Sequence, residues 1–258
     1  MFSFLLLIYY VQFSLLKDKY MLSSIINTLT APKETFQKIC EYYSPKEALA
    51  PLSIIMILAV ISSMVLSDQI ADLQWDQIQQ SLNNNSNITE EQKQELLGSQ
   101  YDRIYSNSGP TAVFIYISSA ISWPVRVLFW SLFSMLFSNV FLGSKNKLGA
   151  VFTVASFSYL PSVIEYLVKT PIQYSTDNMM IFTGLGALGI GEQGSFINNF
   201  LSGLDIFALW RVYLTAVGFT FLYNSKINNT LKTLGILWIS SLLIFSAIGA
   251  FFAGLGGA

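Results

Sequence analysis

Apolar residues fall along this chain in long uncharged blocks rather than in alternation. A helix needs about 20 consecutive apolar residues to cross a bilayer, with a working range of about 17 to 25. Five blocks meet that: residues 51–67, 121–142 (with an apolar run-up from Thr111), 148–168, 200–222 and 233–257. Between them lie the linkers 68–110, 143–147, 169–199 and 223–232, two long and two short in strict alternation. The predicted fold is an all-α polytopic membrane bundle of five transmembrane helices with short amphipathic surface helices. It forms one domain over residues 21–257.

Other segments carry helical spacing of lower hydrophobicity. Phe36, Ile39, Cys40 and Tyr43 recur at i, i+3, i+4 and i+7 behind Pro32, which suits a first helical position. Leu22, Ile25, Ile26 and Leu29 show the same spacing just before. Both stretches read as amphipathic helices, either lying on the membrane surface with their lysines toward head groups or docked on the bundle. Ser44-Pro45-Lys46-Glu47 reads as a capping box that starts the first span. Residues 1–20 read as an extra membrane-surface anchor, an upstream extension of the reading frame, or a sixth span. The apolar part, 2–16, is short for a crossing and lacks a basic start and a cleavage site.

The first long linker predicts a helical hairpin. Ile70, Leu73, Ile78 and Leu82 mark one face and Leu97, Tyr101, Ile104 and Tyr105 the other. An asparagine-rich turn at 83–87 joins them, and Thr89 with Gln92 forms a second capping box. Asn84-Asn85-Ser86 and Asn87-Ile88-Thr89 match the glycosylation pattern, which matters only in a cell that glycosylates. In the second long linker, Gly184 to Gly189 and Gly189 to Gly194 each fit G-x-G-x-x-G. A dinucleotide site needs that glycine run between a strand and a helix of a βαβ unit. No such setting surrounds it, so it reads as a flexible or re-entrant loop.

Composition narrows the classes. The chain is 53% hydrophobic and 11% charged, with a mean hydropathy of +0.51. Soluble domains carry about 25% charged residues. Histidine is absent and Cys40 is the lone cysteine, which excludes imidazole triads, imidazole metal sites and an internal disulfide. No cofactor is expected. A net charge of -1 gives no basic surface for nucleic acid. Lysine and arginine then set orientation. Nine lie in the N-terminal region and short linkers, three in the long linkers (Lys93, Arg103 and Lys169), and two inside spans. The N-terminus is therefore expected in the cytoplasm and the C-terminus outside.

Four ionisable residues fall within spans: Arg126, Glu165, Asp205 and Arg211. Such residues are costly in hydrocarbon and mark function or internal pairing. By the orientation above, all four lie in the outer half, with Arg211 about 9 Å deeper than Asp205. They suit a structural network pairing Arg126 with Glu165 and Asp205 with Arg211 or crosswise, side chains that snorkel, or an ion or ligand path. A carboxylate dyad for proteolysis is disfavoured, because each acid has an arginine candidate beside it. Pro124 and Pro161 interrupt spans two and three near dense serines.

The order of these features resembles the Yip domain family. The resemblance runs from about Met21 to the C-terminus. It rests on Thr30-Ala31-Pro32-Lys33-Glu34-Thr35-Phe36, on Ser158-Tyr159-Leu160-Pro161, and most specifically on Leu204-Asp205-Ile206-Phe207-Ala208-Leu209-Trp210 followed by Gly218. Its motif residues here are Pro32, Phe36, Tyr159, Pro161, Asp205, Phe207, Trp210 and Gly218. The resemblance implies a five-span bundle and trafficking-like or membrane-organising work. Eukaryotic members engage prenylated small GTPases through a long N-terminal region and an Asp-Leu-Tyr-Gly-Pro motif. This sequence carries neither, which argues against a GTPase partner and for a prokaryotic member of the cytoplasmic membrane. The expected function is a non-enzymatic scaffold for membrane organisation or lipid handling, with the bilayer, other membrane proteins or a second copy as partners. The alternative is a transporter of a small solute, ion or lipid built on the four charges. Because Arg211 sits deepest, Arg211→Leu is expected to lower the melting temperature in detergent more than Arg126→Leu. Equal melting of the two variants would contradict that.

Overall fold

The computed structural model describes residues 23–41, 44–84, 88–105 and 110–256. The expectations placed on residues 1–20, on Tyr43 and on residues 85–87 of the asparagine-rich turn lie outside them. Residues 23–30 are helical. The named helices are α1 (Pro32–Glu41), α2 (Leu49–Val65), α3 (Ser67–Asn84), α4 (Glu90–Tyr105), α5 (Pro110–Phe141), α6 (Leu148–Ser158), α7 (Pro161–Thr176), α8 (Phe196–Gly203), α9 (Ile206–Leu222) and α10 (Ile227–Gly256). Among the described residues no strand occurs beyond an isolated antiparallel bridge between Gly184 and Asp205. The all-α bundle class is therefore as expected.

Among the described residues, four helical segments are long and apolar enough to cross a membrane: Lys46–Val65, Ala112–Phe141, Leu148–Thr176 and Ile227–Gly254. The fifth expected span differs. Its helix, Ile206–Leu222, has 17 residues, about 25 Å, against a hydrocarbon core of about 30 Å. The block 200–222 is not one helix, because the chain breaks at Leu204 and Asp205. The block 148–168 also changes. It breaks at Tyr159 and Leu160 and then runs on as far as Thr176. Pro161 has no N–H to give and disfavours helix at the residue before it. The Tyr159 N–H therefore bonds Ala155 O at 3.1 Å, and the Leu160 N–H closes a tight turn on Phe157 O at 3.1 Å. Pro124 leaves α5 unbroken. Nearby serines bond back within the same helix, as Ser122 does to Ser119 O at 2.8 Å.

The described helices cluster into two compact units: Met1–Ile54, Val127–Pro161 and Arg211–Leu234 in the first, Ile55–Arg126, Ser162–Trp210 and Gly235–Ala258 in the second. In the first, α1 is docked rather than loose. Phe36 is fully buried, with Val151, Val154, Phe157, Leu214 and Phe219 in the same core. Gly218 makes the docking close: a Cβ there would overlap Val154 Cγ1 and stand 3.0 Å from Phe36 Cδ1. Burial pushes the Cys40 thiol up to about 12, and its Sγ lies 3.8 Å from Gly218 O. The helix at 23–30 does not dock on the bundle through Ile26. It buries Ser24 and Thr28 and leaves Ile26 64% exposed. The Thr28 hydroxyl donates to Ser24 O at 2.6 Å, so the buried hydroxyl is already satisfied. The capping box at Ser44 does not form. Pro45–Ala48 is a 3-10 turn in which the Glu47 N–H bonds Ser44 O at 3.0 Å, and the Ser44 side chain caps nothing.

The second unit holds the expected hairpin. The Thr89 hydroxyl accepts from the Gln92 backbone N–H at 3.3 Å, and the Gln92 side-chain Oε1 accepts from the Thr89 backbone N–H at 3.0 Å. That reciprocal pair is the capping box read from the sequence. Trp75 meets Tyr101 edge-on at 5.2 Å, and the Tyr105 hydroxyl donates to Asp72 at 2.6 Å, joining the two hairpin helices. That bond to a carboxylate raises the Tyr105 hydroxyl to about 12.

The close approach at Gly218 gives a stability test. Gly218→Ala should overpack the contact with Phe36 and Val154 and cost about 1–3 kcal/mol. Gly235→Ala, where a Cβ meets nothing within 4 Å, should be neutral or stabilising by up to about 1 kcal/mol. Thermal melting in detergent reads both, and equal shifts would refute the close approach.

Candidate functional site

The break between α8 and α9 exposes a chemical problem. The first N–H groups of a helix have no partner inside it, and here they fall in an apolar stretch. Asp205 solves it. Its Oδ1 accepts from the Phe207 N–H at 2.8 Å and the Ala208 N–H at 3.4 Å. The Leu209 N–H at 3.0 Å from Asp205 O begins the helical ladder. A carboxylate at this position also faces the positive end of the helix dipole.

The glycine-rich loop supplies the remaining partners. The Leu185 N–H donates to Leu204 O at 3.1 Å, and the Ile206 N–H to Thr183 O at 3.5 Å. The Thr183 hydroxyl donates to Asp205 Oδ2. Gly184 is a glycine because a Cβ would run into the backbone of Leu204 and Asp205. At Gly186 a Cβ would stand 2.6 Å from the Phe182 ring and 3.0 Å from Ser202 Cα. The G-x-G-x-x-G pattern thus lets the loop approach its own chain, and Leu185–Leu188 is a 3-10 turn. It is an anchored loop, with its hydrogen bonds made to the helix break.

Lys169 completes the cluster. Its Nζ lies 2.7 Å from Glu165 Oε1, one helical turn away on α7, and 3.3 Å from Asp205 Oδ2. It also lies 5.9 Å from the centre of the Phe207 ring. The three side chains keep only 12–20% of their surface exposed. Glu165 and Asp205, both read from the sequence, are therefore brought together by a lysine that the sequence reading left in a linker. The signal was present: Lys169 stands four residues after Glu165, and α7 continues past it.

Arg126 is not part of this cluster. It is exposed, with its guanidinium 4.8 Å over the Trp123 ring, while the Trp123 indole donates to the Tyr166 hydroxyl at 2.9 Å. Arg211 belongs to the first unit, and its guanidinium lies 5.7 Å from the Tyr159 ring. Of the other motif residues, Pro32 opens α1, Phe36 and Gly218 form the docking contact, and Tyr159 and Pro161 mark the break between α6 and α7. Phe207 is buried and Trp210 is half-buried on α9.

Several membrane-length apolar helices, with no regular strand among the described residues, and a further apolar block broken at a capped aspartate define a multi-pass membrane protein. Residues 26–252 match the Yip1 domain, and the chain belongs to that family. No curated protein and no solved structure matches it.

Lys169→Met would leave two carboxylates facing each other without their cation. It is expected to destabilise by about 3 kcal/mol, while Lys169→Arg should retain most of the stability. Thr183→Val should cost about 1 kcal/mol. Chemical or thermal melting in detergent reads all three, and an unchanged Lys169→Met would show that the cation does not hold the cluster.

Proposed function

We propose that the protein is a non-enzymatic scaffold of the Yip type, working in membrane organisation or lipid handling within a prokaryotic cytoplasmic membrane. In this reading the short helix Ile206–Leu222 completes five spans, with the N-terminus in the cytoplasm and the C-terminus outside. Its partners are the bilayer and other membrane proteins or a second copy; a small GTPase, a cofactor and nucleic acid have no part.

One observation carries the reading. The charged groups of the cluster are engaged in holding the fold. Lys169 is shared by two carboxylates, and Asp205 spends its oxygens on Lys169, Thr183 and two backbone N–H groups. A transport site needs groups that exchange protein partners for a solute. Here an exchange that draws Asp205 away would also undo the start of α9. A second reading has one feature in its favour: a broken helix beside intramembrane charges is the arrangement that many transporters use to bind ions.

Reconstituted proteoliposomes separate the two. The scaffold reading expects no flux of Na+, K+, H+ or a fluorescent phospholipid above protein-free vesicles. Flux that Asp205→Asn abolishes would overturn it in favour of transport.

A further inference from the structure

The close approaches of its glycines fix the depth of the segment between α7 and α8. Helix α8 lies along α10 within the second unit. A Cβ on Gly203 would stand 2.6 Å from Leu242 Cδ2, one on Gly249 3.0 Å from Asn199 Nδ2, and one on Gly194 3.2 Å from Ala253 Cβ. The chain from Gly194 to Gly203 therefore descends α10 from Ala253 to Leu242, about 16 Å along the axis. Helix α10 carries no charge from Thr233 to Gly256. Leu242 stands within one turn of the middle of that run, and Ala253 near its end.

The loop follows α8 over the same depth. Gly184 abuts the backbone of Leu204 and Asp205, a Cβ on Gly186 would stand 3.0 Å from Ser202 Cα, and one on Gly191 3.4 Å from Asn198 N. Its deepest part, Thr183 to Leu185, is bonded to the helix break and so reaches the level of Leu242. The incoming limb agrees. Lys169 meets Asp205, and α7 runs on from it to Thr176, about 10 Å, before the chain turns at Asp177, whose φ is 51°. Charge and hydrogen bonding suit that depth. Between Asp177 and Asp205 the sole charge is Glu192, two residues before Gly194 and thus near the end of α10. Irregular backbone is tolerated at membrane depth only where protein shields it or water reaches it. Here the N–H groups of Leu185, Ala187 and Gly189 bond the carbonyls of Leu204, Gly184 and Gly186, each at 3.1 Å, and Gly186 is buried. The outward side chains of this stretch are apolar: Leu185, Leu188 and Ile197 are exposed, Leu188 to 61%.

We propose that the segment from Asp177 to Glu192 is a re-entrant loop whose outward face is covered by lipid. Leu185 and Leu188 touch the acyl chains of the leaflet at the C-terminal end of α10, where their apolar surface leaves water. The turns from Gly189 to Gly194 stand at the head groups, with Glu192 in reach of water. The loop is thus a fixed wedge in one leaflet, held from inside by the helix break. The inference goes beyond the scaffold reading and is independent of it, because the depth follows from packing on α8 and α10 and is the same whether or not a solute moves.

Nitroxide labelling of the full chain in proteoliposomes reads the depth. In a Cys40→Ser background, single labels are attached through Leu188→Cys and Leu185→Cys in the loop. Ile248→Cys, on the exposed face of α10, is the lipid reference, and Glu91→Cys, exposed on the hairpin, is the water reference. Power saturation records collisions with oxygen, which concentrates in hydrocarbon, and with a nickel chelate, which stays in water. The labels at Leu188 and Leu185 are expected to lose the nickel collisions seen at Glu91 and to keep oxygen collisions at the level seen at Ile248. Nickel collisions as frequent as at Glu91 would overturn the proposal by placing the loop in water. Loss of both kinds of collision would also overturn it, by placing another protein surface, such as a second copy, over the loop. If Leu188→Cys fails to fold, Leu185→Cys decides by the same criteria.

Discussion

An unpaired backbone N–H or C=O in an apolar region costs several kcal/mol, and the second unit is organised around that cost. The chain interrupts its fourth apolar block at Leu204 and Asp205, where a continuous helix would have satisfied every group. Once it breaks there, the N–H groups of Ile206, Phe207 and Ala208 and the carbonyl of Leu204 need other partners. Asp205, Thr183 and Leu185 supply all of them. The rest follows from the choice of an aspartate. A carboxylate in this setting needs a cation, and Lys169 provides it while also holding Glu165. Gly184 is then required, because the loop has to come within backbone contact of the break.

The first unit meets a related constraint by packing alone. Helix α1 carries a polar face with two lysines and two glutamates, and a narrow apolar one, and little holds such a helix in place by itself. Phe36 fixes it by entering a space that Gly218 leaves open. In both units a glycine marks where backbone or ring must come close, and the neighbouring motif residue fills the gap. That is a physical reason for Phe36 and Gly218 to occur together in this chain, and for Asp205 to stand beside the glycine-rich loop.

Several elements were legible in the order of residues. The hairpin from Ser67 to Tyr105 follows from its helical spacing, and its Thr89–Gln92 box forms as read. The membrane-length helices follow from uninterrupted apolar runs, because burial of apolar surface depends on composition and length more than on partners. Lys169 was assigned to the linker 169–199, yet a lysine whose charge is met by Glu165 and Asp205 does not end a helix. The burial of Thr28 could not be read from apolar spacing, because a hydroxyl that bonds back to its own backbone is cheap to bury. The Ser44 box failed because proline at the next position favoured a 3-10 turn.

By itself the sequence determined the class: a helical, multi-pass membrane chain with few charges, no histidine, and carboxylates at Glu165 and Asp205 too costly to be incidental. These are properties of composition and period, and they hold whatever the helices touch. Which cation meets those carboxylates and which glycines mark close approaches were decided only by the tertiary structure. Each depends on residues tens of positions apart, such as Lys169 and Asp205 or Phe36 and Gly218. Sequence spacing limits the distance between such residues only loosely, and packing determines it.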